Sequence, residues 1–75
     1  MSTDAIRLKV AELVERCTDG AVTVADGLAA EAPLTALGLD SLGLLRLLDA
    51  VEAEFGVELD ARALDSVAGI AELLR

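Results

Sequence analysis

Two long stretches in which apolar residues recur three or four positions apart decide what this chain can fold into. In the first, from about Thr3 to Thr18, Ile6, Val10, Leu13, Val14 and Cys17 share one helical face. Arg7, Lys9, Glu12, Glu15 and Arg16 fall mostly on the other. In the second, from about Ser41 to Phe55, Leu44, Leu47, Leu48, Val51 and Phe55 follow the i, i+3, i+4, i+7 pattern and should face a core. Ser2 or Thr3 can cap the first helix, Asp4 suits its first turn, and Gly20 is its expected stop. Gly56 is a matching stop for the second.

Composition supports an all-helical reading. Hydrophobic residues make up 55% of the chain, dominated by Ala, Leu and Val, with Phe55 the one aromatic and Pro33 the one proline. Ala and Leu are strong helix formers. The 75 residues amount to one small domain, 1–75. A domain this short buries a modest core and leaves little room for a deep substrate pocket, which weighs against an enzyme.

Between the two long helices, Ala21–Asp40 contains Gly27, Pro33 and Gly38 and no sustained period. A connection of this length in a compact domain is usually functional or disordered. Val22, Val24, Leu28, Leu34 and Leu37 would pin it to the core, so an ordered crossing loop is expected, with a helical turn near Leu28–Glu31. In the tail, Asp60 would cap a turn at Ala61–Leu64, and Asp65 or Ser66 a helix from Val67 to about Leu74. The expected fold is therefore an all-α, four-helix bundle with a long loop between helices 1 and 2 and a short third helix.

The formal charge of −8, from 14 acids and 6 bases, repels nucleic-acid phosphates and anionic membranes. It suits partners with basic docking patches, although it also keeps an apolar small protein soluble. One cysteine permits no internal disulfide, and with no histidine there is no credible zinc site. Cys17 lies on the apolar face and reads as core packing. No apolar run has the length of a membrane span, and the first residues lack a signal-peptide pattern, so the cytoplasm is the expected location.

The segment Leu37-Gly38-Leu39-Asp40-Ser41-Leu42 places a serine at a helix start, just after a flexible glycine. A plain N-cap explains such a string. Three features point further. The N–H groups and dipole at a helix N-terminus stabilise a phosphate. The preceding loop is long enough to present the serine. Leu42 and Leu45, with Asp49 and Glu52 further along, form a stripe the core does not need, which suits a small docking surface. Packing of that stripe against the loop or the last helix is the alternative. A second Asp-Ser pair, Asp65-Ser66, lacks the preceding Gly-x and reads as a cap.

The stretch PLTALGLDSLGLLRLLDAVEAEFGVEL, 33–59, resembles the signature of acyl carrier proteins and related thiolation domains. It has the Leu-Gly-x-Asp-Ser-Leu motif, a helix of the family's length, and an acidic stretch closing on Phe55-Gly56 and then Leu59. Ser66-Val67 and Ile70 resemble the start of the family's last helix, so the likeness covers nearly the whole chain. It implies a carrier, not a catalyst. A phosphopantetheinyl transferase would move 4′-phosphopantetheine from coenzyme A, with magnesium, onto Ser41. The thiol of that arm would carry acyl groups as thioesters between partner enzymes of the acyltransferase, ketosynthase or acyl-activating ligase type. Asp40 resembles the neighbouring acid associated with positioning the magnesium and the transferase. Leu42 and Leu45 match partner-contacting positions, and Arg46, Asp49 and Glu52 extend that face.

Arg46 departs from the acid that many fatty-acid carriers have five residues after the serine, and the 59–66 segment is short for such carriers. Residues 40–60 still hold Asp40, Asp49, Glu52, Glu54, Glu58 and Asp60 against Arg46 alone. Both departures favour a secondary-metabolism carrier, for a polyketide or another acyl unit. A peptidyl or aminoacyl carrier of a nonribosomal pathway is the alternative within the class. An acidic helical interaction adaptor without a covalent cofactor is the alternative outside it. The initial Met and the short run before the first helix favour a discrete protein, expected as a monomer.

Overall fold

The computed structural model describes residues 2–29, 33–60 and 66–74. Among these residues the regular structure is four α-helices and one 3-10 turn: α1 (Thr3–Cys17), α2 (Val24–Ala29), the 3-10 turn Leu34–Leu37, α3 (Ser41–Phe55) and α4 (Val67–Leu74). Among the described residues there is no strand, so the all-α expectation holds. The expected short helix at Ala61–Leu64 lies outside the described residues, as do Glu31 and Asp65.

The central element is α1, against which α2, α3 and α4 all pack. Its expected apolar face is the face it buries: Ile6, Val10, Leu13 and Val14 are almost fully covered, and Cys17 packs half-buried at their end. Ser2 caps it, its hydroxyl accepting from the Ala5 amide at 3.2 Å. The helix ends in a Schellman arrangement, with the Gly20 N–H donating to the Glu15 carbonyl and the Asp19 N–H to that of Arg16. The residue that first turns left-handed is Asp19, at φ 52°, with Gly20 continuing the reversal at φ 84°. An aspartate tolerates that conformation better than most side chains do.

Where it is described, the connection is ordered, as expected; α2 (Val24–Ala29) starts four residues before the expected turn at Leu28–Glu31 and takes in Leu28 and Ala29, the rest of that turn lying outside the described residues. Two side chains start α2: the Glu15 carboxylate accepts from the Val24 amide at 3.1 Å, and the Thr23 hydroxyl accepts from Asp26 at 3.1 Å. A six-residue helix is marginal alone and depends on its neighbours. Its contact residue is Gly27, where a Cβ would lie 3.5 Å from Ala11 Cβ and 3.5 Å from Val67 Cγ2. Gly27 thus faces α1 and α4 at ordinary contact distance, and Leu28 beside it is turned outward, 46% exposed. Leu28 therefore does not pin the loop. Val22 and Leu34 are buried and do, while Val24 and Leu37 pack half-buried against the core.

On α3, Leu47 and Val51 are fully buried, and Leu44, Leu48 and Phe55 pack against the core. Gly56, at φ 68°, ends it in the left-handed conformation, its amide donating to the Glu52 carbonyl at 2.8 Å. On α4, Val67, Ile70 and Ala71 are buried. Ser66 is the cap of α4, its hydroxyl accepting from Gly69 at 3.0 Å.

The burial pattern gives a paired test. Leu47→Ala should cost about 2–5 kcal/mol in urea unfolding through transfer loss and a residual cavity. Leu28→Ala should change stability by no more than about 0.5 kcal/mol, as an exposed substitution does.

Candidate functional site

The geometry around Ser41 begins with the turn that delivers the chain to it. The 3-10 turn closes at Gly38, whose φ of 111° is open to glycine and strained for other residues. The Gly38 and Leu39 amides donate back to the Thr35 and Leu34 carbonyls, each at 3.2 Å. Leu34 and Leu39 are both buried, so each side of the turn is anchored in the core. From Leu39 the chain passes through extended Asp40, and α3 begins at the next residue.

Asp40 is the N-cap of α3, with φ −93° and ψ −175°. Its Oδ1 accepts from the Gly43 amide at 2.7 Å, a short charge-assisted bond. Its carbonyl accepts from Leu44 at 2.9 Å. Gly43 permits this approach, since a Cβ there would lie 3.3 Å from Asp40 Oδ1. Capping, the simplest account of the Asp-Ser string, thus belongs to Asp40. Ser41 is the first helical residue and exposed, and among the described residues its hydroxyl has no hydrogen-bond partner. The Ser41 and Leu42 amides point out of the helix start, and neither has a partner among the described residues.

The chain has three serines, and the other two are committed. Ser2 caps α1 and Ser66 caps α4. The Ser66 reading from sequence holds, since its hydroxyl accepts from the Gly69 amide at the helix start.

Of the outer stripe, Leu42 and Leu45 are the exposed apolar pair beside Ser41, at 56% and 54%. Asp49 is exposed on the same side. Glu52 is drawn in: it is half-buried, and its carboxylate accepts from the Leu59 amide at 2.9 Å, tying the segment after α3 back to the helix. Arg46 is exposed and lines a cleft between the end of α1, the turn before Ser41 and the first turns of α3. Burial pushes the Cys17 thiol in that cleft above its ordinary value, with Arg46 and then Arg16 pulling against it. The thiol therefore stays protonated near neutrality, as a packing residue would.

Among the described residues no group of His, Cys, Asp and Glu is arranged to hold a metal, and no helix is long and apolar enough to cross a membrane. The donor set at the start of α3 does fit a phosphodiester: an uncommitted, exposed hydroxyl next to two outward amides at the positive end of a fifteen-residue helix. The family model described as a phosphopantetheine attachment site matches residues 9–75. No curated protein and no solved structure matches the chain.

The division of roles between Asp40 and Ser41 has a stability signature. Asp40→Ala should lose about 1 kcal/mol by removing the cap. Ser41→Ala should stay within about 0.5 kcal/mol of the parent in the same denaturation experiment.

Proposed function

The chain belongs to the phosphopantetheine attachment family, and on that premise we propose that Ser41 is the serine to which its 4′-phosphopantetheine is attached. Membership makes the protein a carrier that partner enzymes act on, rather than a catalyst, and sets aside the adaptor without a covalent cofactor. The observation that carries the assignment is the uncommitted hydroxyl of Ser41 beside a cap made by its neighbour.

The residues divide the work of loading. Ser41 offers its exposed oxygen to the phosphopantetheinyl transferase and keeps it clear of the helix. The Ser41 and Leu42 amides favour the negative charge of the phosphodiester then formed on that oxygen. Asp40 spends Oδ1 on the Gly43 amide, and its charge remains beside Ser41 for the transferase and its magnesium. The attached arm supplies a terminal thiol on which acyl groups travel as thioesters. Leu42 and Leu45 give partner enzymes an apolar contact, Asp49 adds an acid for basic docking patches, and Arg46 borders the stripe as the one cation in residues 40–60. Glu52 serves this face by holding Leu59, with its carboxylate partly spent.

Arg46 and the short 59–66 segment support a carrier of secondary metabolism, for polyketide or other acyl units, served by acyltransferase, ketosynthase or acyl-activating ligase enzymes. In this reading residues 1–75 are one carrier domain, acting as a monomer in the cytoplasm.

Incubation with coenzyme A, magnesium and a broad-specificity phosphopantetheinyl transferase should add the mass of one phosphopantetheine to the wild type and none to Ser41→Ala. Asp40→Asn should keep the cap, because Asn and Asp cap equally well, and so melt with the parent while loading more slowly. Unchanged loading would remove Asp40 from the transfer step. The pathway assignment has its own check: fatty-acid enzymes should turn over the loaded protein poorly, and turnover equal to that with polyketide enzymes would contradict it.

A further inference from the structure

The cleft beside Ser41 is not used by the loading reaction. Its volume is about 240 Å³, below the roughly 300–1,000 Å³ of pockets that enclose a drug-sized ligand. It therefore suits a short terminal group rather than a long chain. Its wall mixes apolar Val22 and Leu39 with Thr18, Cys17 and Arg46. It also meets the start of α3 at Leu42 and Gly43, immediately after Ser41.

Arg46 is the feature that gives this cleft a chemistry. It is the one cation in residues 40–60 of a chain that carries −8 overall. In such a protein a guanidinium would be expected to find a carboxylate. Among the described residues Lys9 pairs with Glu54 at 3.0 Å, whereas Arg46 is in no ion pair. Asp19 and Asp40 line the same cleft, yet neither closes on it. Helical side chains lean toward the N-terminus, so Arg46 covers the turn at Leu42 and Gly43 on the cleft side of α3, about 140° around the helix from Ser41. Five residues of helix separate the two by about 7.5 Å along the axis. The phosphate next to Ser41 has the Ser41 and Leu42 amides close at hand, which leaves Arg46 for an anion further along the arm.

We propose that the cleft lined by Arg46, Thr18 and Gly43 is a cargo subsite that holds the free carboxylate of an acyl unit derived from a dicarboxylic acid. This rests on attachment at Ser41. The arm folds back over the start of α3, the thioester stays outside, and the terminal carboxylate meets the guanidinium, whose planar donors match it bidentately. Acyl units without a terminal charge gain nothing from Arg46 and leave the cleft empty.

The test uses the protein loaded with coenzyme A itself or with its butyryl or succinyl thioester, with intact mass recorded on each sample before any spectrum. The readout is the chemical shift of the Arg46 side-chain Nε–H and of the Thr18 and Gly43 amides. Succinyl loading should move all three relative to the unacylated arm, butyryl loading should not, and Arg46→Gln should abolish the succinyl shift at Thr18 and Gly43. Equal shifts with butyryl and succinyl would overturn the proposal, because the cleft would then take cargo without reading charge. Shifts already complete with the unacylated arm would overturn it in favour of the phosphate as the anion at Arg46. No shift with any form would overturn it outright. Absence of a mass gain at loading would instead strike the Ser41 assignment, and is seen separately in the mass measurement.

Discussion

The Gly43 amide donates to the Asp40 carboxylate at 2.7 Å, and the character of the surface around it follows from that bond. A helix start demands a side-chain acceptor, and two adjacent residues here are both good ones. Because Asp40 takes the role, α3 begins with a serine whose hydroxyl is unspent and exposed. The glycine at position 43 is part of the same arrangement, since a side chain there would press on the carboxylate. The capping bond thus does two things together: it satisfies a backbone donor, and it leaves a nucleophile in front of two outward amides.

The rest of the fold holds that helix start in place. Leu34 and Leu39 anchor the two sides of the turn at Gly38, so the segment carrying Asp40 and Ser41 is fixed from within the core. The connection before it is held at a distance from the site, by Glu15 and Thr23 at the start of α2 and by Gly27 against α1 and α4. Glu52 holds the far side through Leu59. The exposed pair Leu42 and Leu45 is what remains of α3 once Leu47 and Val51 have taken the core-facing positions.

The long helices were legible in the sequence because their apolar residues repeat with the helical period, and both of their expected faces are the buried ones. The helix in the connection was not, for a physical reason. Its buried contact point, Gly27, carries no apolar side chain, so the periodic signal is missing where the helix meets α1 and α4. The visible leucine next to it, Leu28, points to solvent. At the end of α1 it is Asp19, one residue before the glycine, that enters the left-handed region a glycine normally occupies. At the site, the motif marked Ser41 but left open whether it caps the helix, and only the Asp40 geometry decides that. Glu52 read as a surface acid because a side-chain bond to a backbone amide seven residues away has no signature in the sequence.

One of the three serines, Ser41, is chemically free, and digestion of the loaded protein tests this most directly. Cleavage after arginine releases Ser41 on the peptide 17–46 and Ser66 on the peptide 63–75. Tandem mass spectrometry should place the phosphopantetheine on Ser41 within the first and find the peptides carrying Ser2 and Ser66 unmodified. An adduct on Ser66 or Ser2, or on a residue of 17–46 other than Ser41, would contradict the division of roles between Asp40 and Ser41 on which the whole reading stands.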